Sequence, residues 1–198
     1  MNKLWLGLST ILYIVFAYFL ERQQIVPLLF TWGILFLCYF FLIKEKRSYL
    51  LLAGILFRAI WLFAIPALSD DFYRFAWDGR LLMNGVNPFL YIPTEVMSMS
   101  ELATQIDAQE LFQSLNSPNY YSVYPPLNQY FFGMASIISG NNLQLNVILL
   151  RVIILFAECG TLWLLYKLER EQKLNINLSL YALNPLVIIE LTGNLHFE

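Results

Sequence analysis

Asp70 and Asp71 stand side by side just beyond an apolar stretch, and Arg74 and Asp78 follow at helical intervals. Positions seven apart return to within about 20° of one another on an α-helix. Asp71 and Asp78 therefore share a face, with Arg74 between them. A carboxylate–guanidinium–carboxylate row of this kind suits two chemical tasks. One carboxylate can serve as general base toward a substrate hydroxyl, or the row can bind a cationic or metal-bound phosphate group. It equally suits a structural task, a capped and salt-bridged helix start, which by itself accounts for Asp70 and Arg74. Asp at a helix N-terminus is stabilised as the anion, so catalysis there needs burial or the second carboxylate as an offset.

A second group closes the chain. Asn184-Pro185-Leu186 breaks a helix, and Glu190, Asn194, His196 and Glu198 follow. His196 has Glu190 at i−6 and Glu198 at i+2, which is no metal-ligand spacing. Cys38 and Cys159 lie in apolar surroundings and read as small hydrophobes. With no CxxC or Cys/His cluster, they do not suggest a structural zinc site.

The elements that must carry these residues are apolar. Of 198 residues 59% are hydrophobic and only 13% charged, against about 45–50% and 25% in soluble domains. That excludes a soluble enzyme, a disordered tail and a disulfide scaffold; a net charge of −2 without a basic stripe argues against a nucleic-acid binder. A span needs about 20 mostly apolar residues. Residues 4–20, 25–43, 49–68 and 147–166 meet this, and 176–191 form a shorter fifth. The expected fold is all-α and polytopic: three transmembrane helices in 1–68, a long external loop at 69–146, and two further helices in 147–198. Seven of the twelve basic residues (Lys3, Lys44, Lys46, Arg47, Lys167, Arg170, Lys173) flank one side of these spans, and keeping them in the cytoplasm sends 69–146 outside. Seven of the fourteen acidic residues fall in that loop, beside Arg74 and Arg80 alone.

Within the loop, residues 69–84 read as a helix capped by Ser69 or Asp70 and stopped by Gly85 and Asn87-Pro88. Residues 100–115 read as a single surface helix with a stripe of Leu102, Ile106, Leu111 and Leu115. Residues 116–126 form an aromatic turn region. Residues 127–138 are too short to span and are expected along the outer leaflet.

Charges inside spans are costly, roughly 2.5–3.5 kcal/mol each at mid-membrane. Arg58 is tenth in its span and Glu158 twelfth in an oppositely directed one, so a buried structural pair is expected. Arg151 should lie just below the outer surface, placed for a lipid phosphate or snorkelling to headgroups.

Three segments together resemble a known family. Ser69-Asp70-Asp71-Phe72-Tyr73-Arg74-Phe75-Ala76-Trp77-Asp78-Gly79-Arg80 with Gly85-Val86-Asn87-Pro88-Phe89 is similar to the first external loop of bacterial membrane mannosyltransferases of the GT-C superfamily. Tyr120 to Gln129 is similar to their second signature, and Tyr181 to Leu186 with Glu190 to His196 to their third. The resemblance implies transfer of a hexose, mannose first, from a polyprenyl-phosphate donor to a glycan, lipid or protein acceptor hydroxyl at the external face of the bacterial inner membrane. It implies inversion, with Asp70 or Asp71 as general base. Asp71 is favoured as base or base partner because it shares the face of Arg74 and Asp78. Arg74, Arg80 and Arg151 become candidates to offset phosphate charge. Trp77 and Tyr124 become candidates to stack on a sugar, with core packing as their alternative. Glu190 and His196 are expected to line the donor pocket. Some relatives use a divalent metal ion; no ligand set in this chain demands one.

Such enzymes commonly carry eight or more spans, whereas this chain has about five. The expectation is an N-terminal part with little or no transfer activity alone. The competing reading is a transporter or lipid-handling protein with Arg58, Glu158 and Arg151 along a path and Asp70-Asp71 as a gate; a third is a non-catalytic membrane scaffold. A transporter would spread its charges along a bundle interior, whereas here carboxylates and aromatics concentrate in one loop.

Overall fold

Pro27 occupies the first turn of α2 (Ile25–Leu42), where its missing N–H has no helical partner to lose. The same economy recurs at Pro126, the first residue of α8 (Pro126–Ser139), and at Pro93, the first of α5 (Pro93–Ser98). The computed structural model describes residues 2–44, 49–171 and 177–197, and among them there is helix but no strand. The other helices are α1 (Asn2–Phe19), α3 (Tyr49–Ala59), α4 (Asp71–Met83), α6 (Ser100–Gln105), α7 (Ala108–Ser114), α9 (Leu143–Arg170), α10 (Ser179–Ala182) and α11 (Pro185–Val187). The all-α expectation is met. Among the described residues two helices, α2 and α9, are long and apolar enough to cross a membrane by length and composition. Lys3–Phe19 and Tyr49–Phe63 are apolar but shorter.

Two expected spans differ from the structure. The 49–68 segment is helical only to Phe63, tightening into a 3-10 turn at Ile60–Phe63, with Ala64 already extended ahead of Pro66. A residue preceding proline is driven out of the helical region, and here the chain leaves the helix one residue earlier still. The 176–191 segment is not one helix. α10 stops at Ala182, and Asn184 restarts the chain by accepting the Leu186 N–H at 3.0 Å. α11 then widens into a π-helix at Ile188–Gly193. Glu45, Lys46, Arg47, Lys173, Ile176 and Glu198, on which part of the orientation and C-terminal expectations rest, lie outside the described residues.

The chain divides into two compact units. The first comprises Met1–Leu68 and Arg151–His196. Its core is aromatic: Tyr13 meets Phe57 at 4.9 Å between centroids and Phe16 meets Trp61 at 5.7 Å, with Leu35, Leu42, Leu50, Ile188 and Ile189 buried around them. The expected Arg58–Glu158 pair is present, with Nη2 at 2.8 Å and Nε at 2.9 Å from Oε2. Arg58 Nη1 also donates to the Gly54 and Ala182 carbonyls, and Tyr181 Oη donates to Glu158 Oε1 at 2.7 Å.

The second unit is Ser69–Leu150 with Phe197. α4 packs on α8 through Gly79, where a Cβ would meet the Phe132 carbonyl and Ser136 Oγ. Phe75 stacks on Phe132 at 4.5 Å, and Tyr124 and Phe197 meet both rings edge-on. α4 ends in a Schellman motif: Gly85, in the left-handed region at φ 73°, donates to Leu82, and Val86 donates to Leu81. The helix expected at 100–115 is two helices. Asp107 takes a left-handed conformation (φ 49°) between α6 and α7, and Arg80 Nη1 collects the freed Ile106 and Asp107 carbonyls. Its stripe faces inward: Ile106, Leu111 and Leu115 pack with Val96, Trp77 and Leu81.

Candidate active site

α4 presents the acidic pair at its first turn. Ser69 Oγ accepts the Asp71 N–H at 3.2 Å, so Ser69 does the capping and Asp70 makes no side-chain cap bond. Asp71 is half-buried, and its Oδ1 accepts a hydrogen bond from Asn116 Nδ2 at 3.0 Å. Its Oδ2 has no partner among the described residues. A carboxylate steadied through one oxygen and open at the other has the form a general base requires.

Arg74 does not bridge the two carboxylates. Its Nε donates to Asp78 Oδ1 at 2.9 Å, one turn along α4, and its Nη1 donates to the carbonyls of Tyr120 (3.0 Å) and Ser117 (3.3 Å). The guanidinium therefore ties the 117–120 turn to α4, next to the residue that reaches Asp71. Asp78 is fully buried. Besides Arg74, its carboxylate takes hydrogen bonds from Ser122 Oγ and from Gln129 Nε2 at 2.7 Å. Burial pushes its pKa above the usual carboxylate value, outweighing Arg74 and the two neutral donors.

Arg80 is buried too, donating to Ile106, Asp107 and Asn141 carbonyls, with the Asp107 carboxylate at 3.8 Å. Desolvation lowers its pKa from the ordinary arginine value. Trp77 is 0% exposed, so its ring offers no face to a sugar and packs against Phe112 at 6.2 Å. Tyr124 is half-buried in edge contact with Phe75 and Phe132.

In the first unit, Arg151 is fully buried. It donates to the carbonyls of Thr192 (2.8 Å), Gly193 (3.0 Å), Leu62 (3.2 Å) and Ala64 (2.5 Å). It thus clamps the C-terminal ends of the 3-10 turn and the π-helix, where a cation also suits the local dipoles. Beyond the π-helix, Leu195 takes a left-handed conformation (φ 59°). This turn brings residues six apart together: His196 Nδ1 lies 3.4 Å from Glu190 Oε2, which Asn194 Nδ2 also contacts at 3.1 Å. π-turns and left-handed non-glycine residues concentrate at functional positions. Among the described residues no group of three or more His, Cys, Asp and Glu side chains gathers as metal ligands would.

Asn116 donates to Asp71, and Ser122 and Gln129 donate to Asp78, contacts that residue type and spacing alone do not reveal. Ser122 and Gln129 stand inside the second signature, seven apart, and Asn116 opens the turn before it.

Over residues 5–198 the chain matches the family described as Alpha-(1->6)-mannopyranosyltransferase, N-terminal domain. It is similar to Alpha-(1->6)-mannopyranosyltransferase A of Corynebacterium glutamicum, 23% identical over 139 residues, which are 69% of this chain and 26% of that protein. The chain thus spans about a quarter of the length of the curated relative it matches. No solved structure matches it.

Proposed function

The chain belongs to the alpha-(1->6)-mannopyranosyltransferase family, in its N-terminal domain, and we propose that it carries the base-bearing part of a membrane mannosyltransferase. The reaction is transfer of mannose from a polyprenyl-phosphate donor to an acceptor hydroxyl. Asp71 takes the hydroxyl proton, the oxygen attacks the anomeric carbon from the face opposite the phosphate, and the polyprenyl phosphate leaves with inversion. The observation that carries this reading is the state of the Asp71 carboxylate, with Oδ1 held by Asn116 and Oδ2 without a partner among the described residues.

Asp70 is the neighbouring alternative as base. Arg74, Arg80 and Arg151 act here as positioning residues, because their guanidinium groups are engaged with backbone carbonyls. Glu190 and His196 line the donor side, and Tyr124 steadies the aromatic wall. The membrane arrangement that accompanies this reading has five crossings, formed by residues 4–20, 25–43, 49–68, 147–166 and the broken 176–191 segment. The basic residues orient 69–146 to the exterior.

The test is Asp71→Asn and Asp70→Asn, each in the full-length protein that carries this chain, assayed with a radiolabelled polyprenyl-phosphate-mannose donor. Loss of a general base lowers the rate by roughly 10²–10⁴. A loss of that size in Asp71→Asn alone supports the assignment. Full transfer by both variants ends the general-base mechanism.

A further inference from the structure

Helix α8 is polar inside and apolar outside. Asn128, Gln129, Ser136 and Ser139 are buried beside Phe132 and Ala135. Leu127, Tyr130, Met134, Ile137 and Ile138 are exposed, from 40% at Met134 to 67% at Ile137. With successive residues about 100° apart, these positions fall within one arc of about 100°. The Tyr130 hydroxyl is the only polar side-chain group on that arc, and α8 contains no charged residue. A helix facing water shows the reverse pattern.

Within the second unit, α4 separates this face from a charged one. Phe75 and Gly79 of α4 meet α8, whereas Trp77 and Leu81, on the opposite side of α4, pack with Val96 of α5 and Leu111 of α7. The surface of α5 to α7 exposes Glu95, Glu101 and Glu110, and these helices contain no basic residue. The unit therefore has an acidic face and an apolar face with α4 between them. Water suits the first and not the second.

Covalent geometry decides what covers the apolar face. Only Gly140-Asn141-Asn142 separate α8 from α9, which is long and apolar enough to cross a membrane. Such a link reaches at most about 14 Å from Ser139 to Leu143, so Ile137 and Ile138 stay at the depth where α9 enters. α8 itself is about 21 Å long, short of the roughly 30 Å hydrocarbon layer, and cannot cross. Tyr120 and Tyr121, 70% and 55% exposed, stand just ahead of it, and tyrosine collects at the membrane–water boundary. A protein interface carries hydrogen-bonding groups among its apolar ones, whereas this arc offers a single hydroxyl. We infer that the outer face of α8 is seated in the acyl chains of the leaflet that α9 enters. An ordinary surface helix turns its polar side to water; α8 turns it to α4, and so holds α4 one helix layer, about 8–10 Å, farther from the acyl chains. The inference rests on the crossing by α9 proposed above, and not on the reaction.

The test places the photo-crosslinking residue p-benzoylphenylalanine at Leu127, Met134 or Ile137, one site at a time. The full-length protein that carries this chain is used, in nanodiscs of phosphatidylethanolamine and phosphatidylglycerol. Controls carry the same residue at Glu101 or Glu110 on the acidic face, and at Phe156, 75% exposed within α9. All of these side chains are exposed, so their replacement leaves the fold intact. After illumination, the labelled peptides from Leu127, Met134, Ile137 and Phe156 are expected to gain the mass of one lipid, and those from Glu101 and Glu110 to gain none. Cross-links from α8 to another peptide of the protein, or to a second copy, would overturn the assignment, as would lipid adducts on both faces alike. Adducts at Phe156 with none in α8 remove the lipid face and leave the crossing by α9 standing. Adducts at neither overturn both.

Discussion

Asn116 Nδ2 donates to Asp71 Oδ1 at 3.0 Å, joining residues 45 apart in the chain. The bond fixes the plane of the carboxylate, and Arg74 fixes the turn from which Asn116 reaches out. Asn116→Ala in the full-length enzyme is therefore expected to lower kcat by about tenfold while leaving the donor KM within about twofold, the pattern of lost transition-state interaction. Asn116→Asp should be worse, since it sets two carboxylates against one another. A rise in KM alone, at unchanged kcat, would show that Asn116 only shapes binding.

Glu158→Ala leaves the Arg58 cation buried without its counter-charge and should cost about 3–5 kcal/mol. The double exchange Arg58→Glu with Glu158→Arg should not restore the loss, because Arg58 also supplies the Gly54 and Ala182 carbonyls. Denaturant unfolding in detergent measures both. Full recovery in the exchanged protein would mean that the carbonyl contacts contribute nothing.

Gly79→Ala forces a Cβ onto the Phe132 carbonyl and Ser136 Oγ, and backbone cannot step aside as a side chain can. The expected loss is about 1–3 kcal/mol, the range for overpacking. Gly133→Ala is the control. Its Cβ would meet only Leu82 side-chain atoms, at 3.4 Å, so it should be close to neutral. Equal unfolding midpoints for the two variants would contradict the close α4–α8 approach.

Asp78 holds its proton more tightly in the folded chain than the unfolded value of 3.8 allows. The folded state binds more protons between those two values, so stability contributed by this group rises as pH falls through that window and declines as pH rises. Once the intrinsic pH dependence of amide exchange is divided out, protection factors in the 122–129 segment should therefore rise on moderate acidification, and Asp78→Asn should flatten that rise. Protection factors that fall in acid in the parent and stay level in the variant would show the opposite shift.

Much of this arrangement was legible from residue types alone. Mid-span positions for Arg58 and Glu158 led to a pair because a lone buried charge is expensive, and the structure contains it. Helix α4 was readable from Ser69, Gly85 and Pro88, which act within a few residues of themselves. Asn116 and Asp71 were not connected, since their contact depends on a turn that Arg74 holds from another part of the chain. The 100–115 stripe had the right period for one helix; Asp107 breaks it because Arg80, a residue of another helix, binds the carbonyls that the break exposes. Depth in its span directs Arg151 to lipid headgroups, and local sequence contains no sign of the carbonyls at Ala64 and Thr192 that enclose it instead.

Arg58, Arg74, Arg80 and Arg151 each bind two or more main-chain carbonyls through the planar fork of the guanidinium. Lysine, with a single compact ammonium, cannot serve those directions together. Over evolutionary time, the easy drift between the two basic residues is closed at these four positions, whereas a lysine in a solvated run such as Lys167 remains free to exchange. Descent should therefore record these arginines as invariant for reasons of architecture, and an observer ranking residues by persistence alone would mistake them for catalysts.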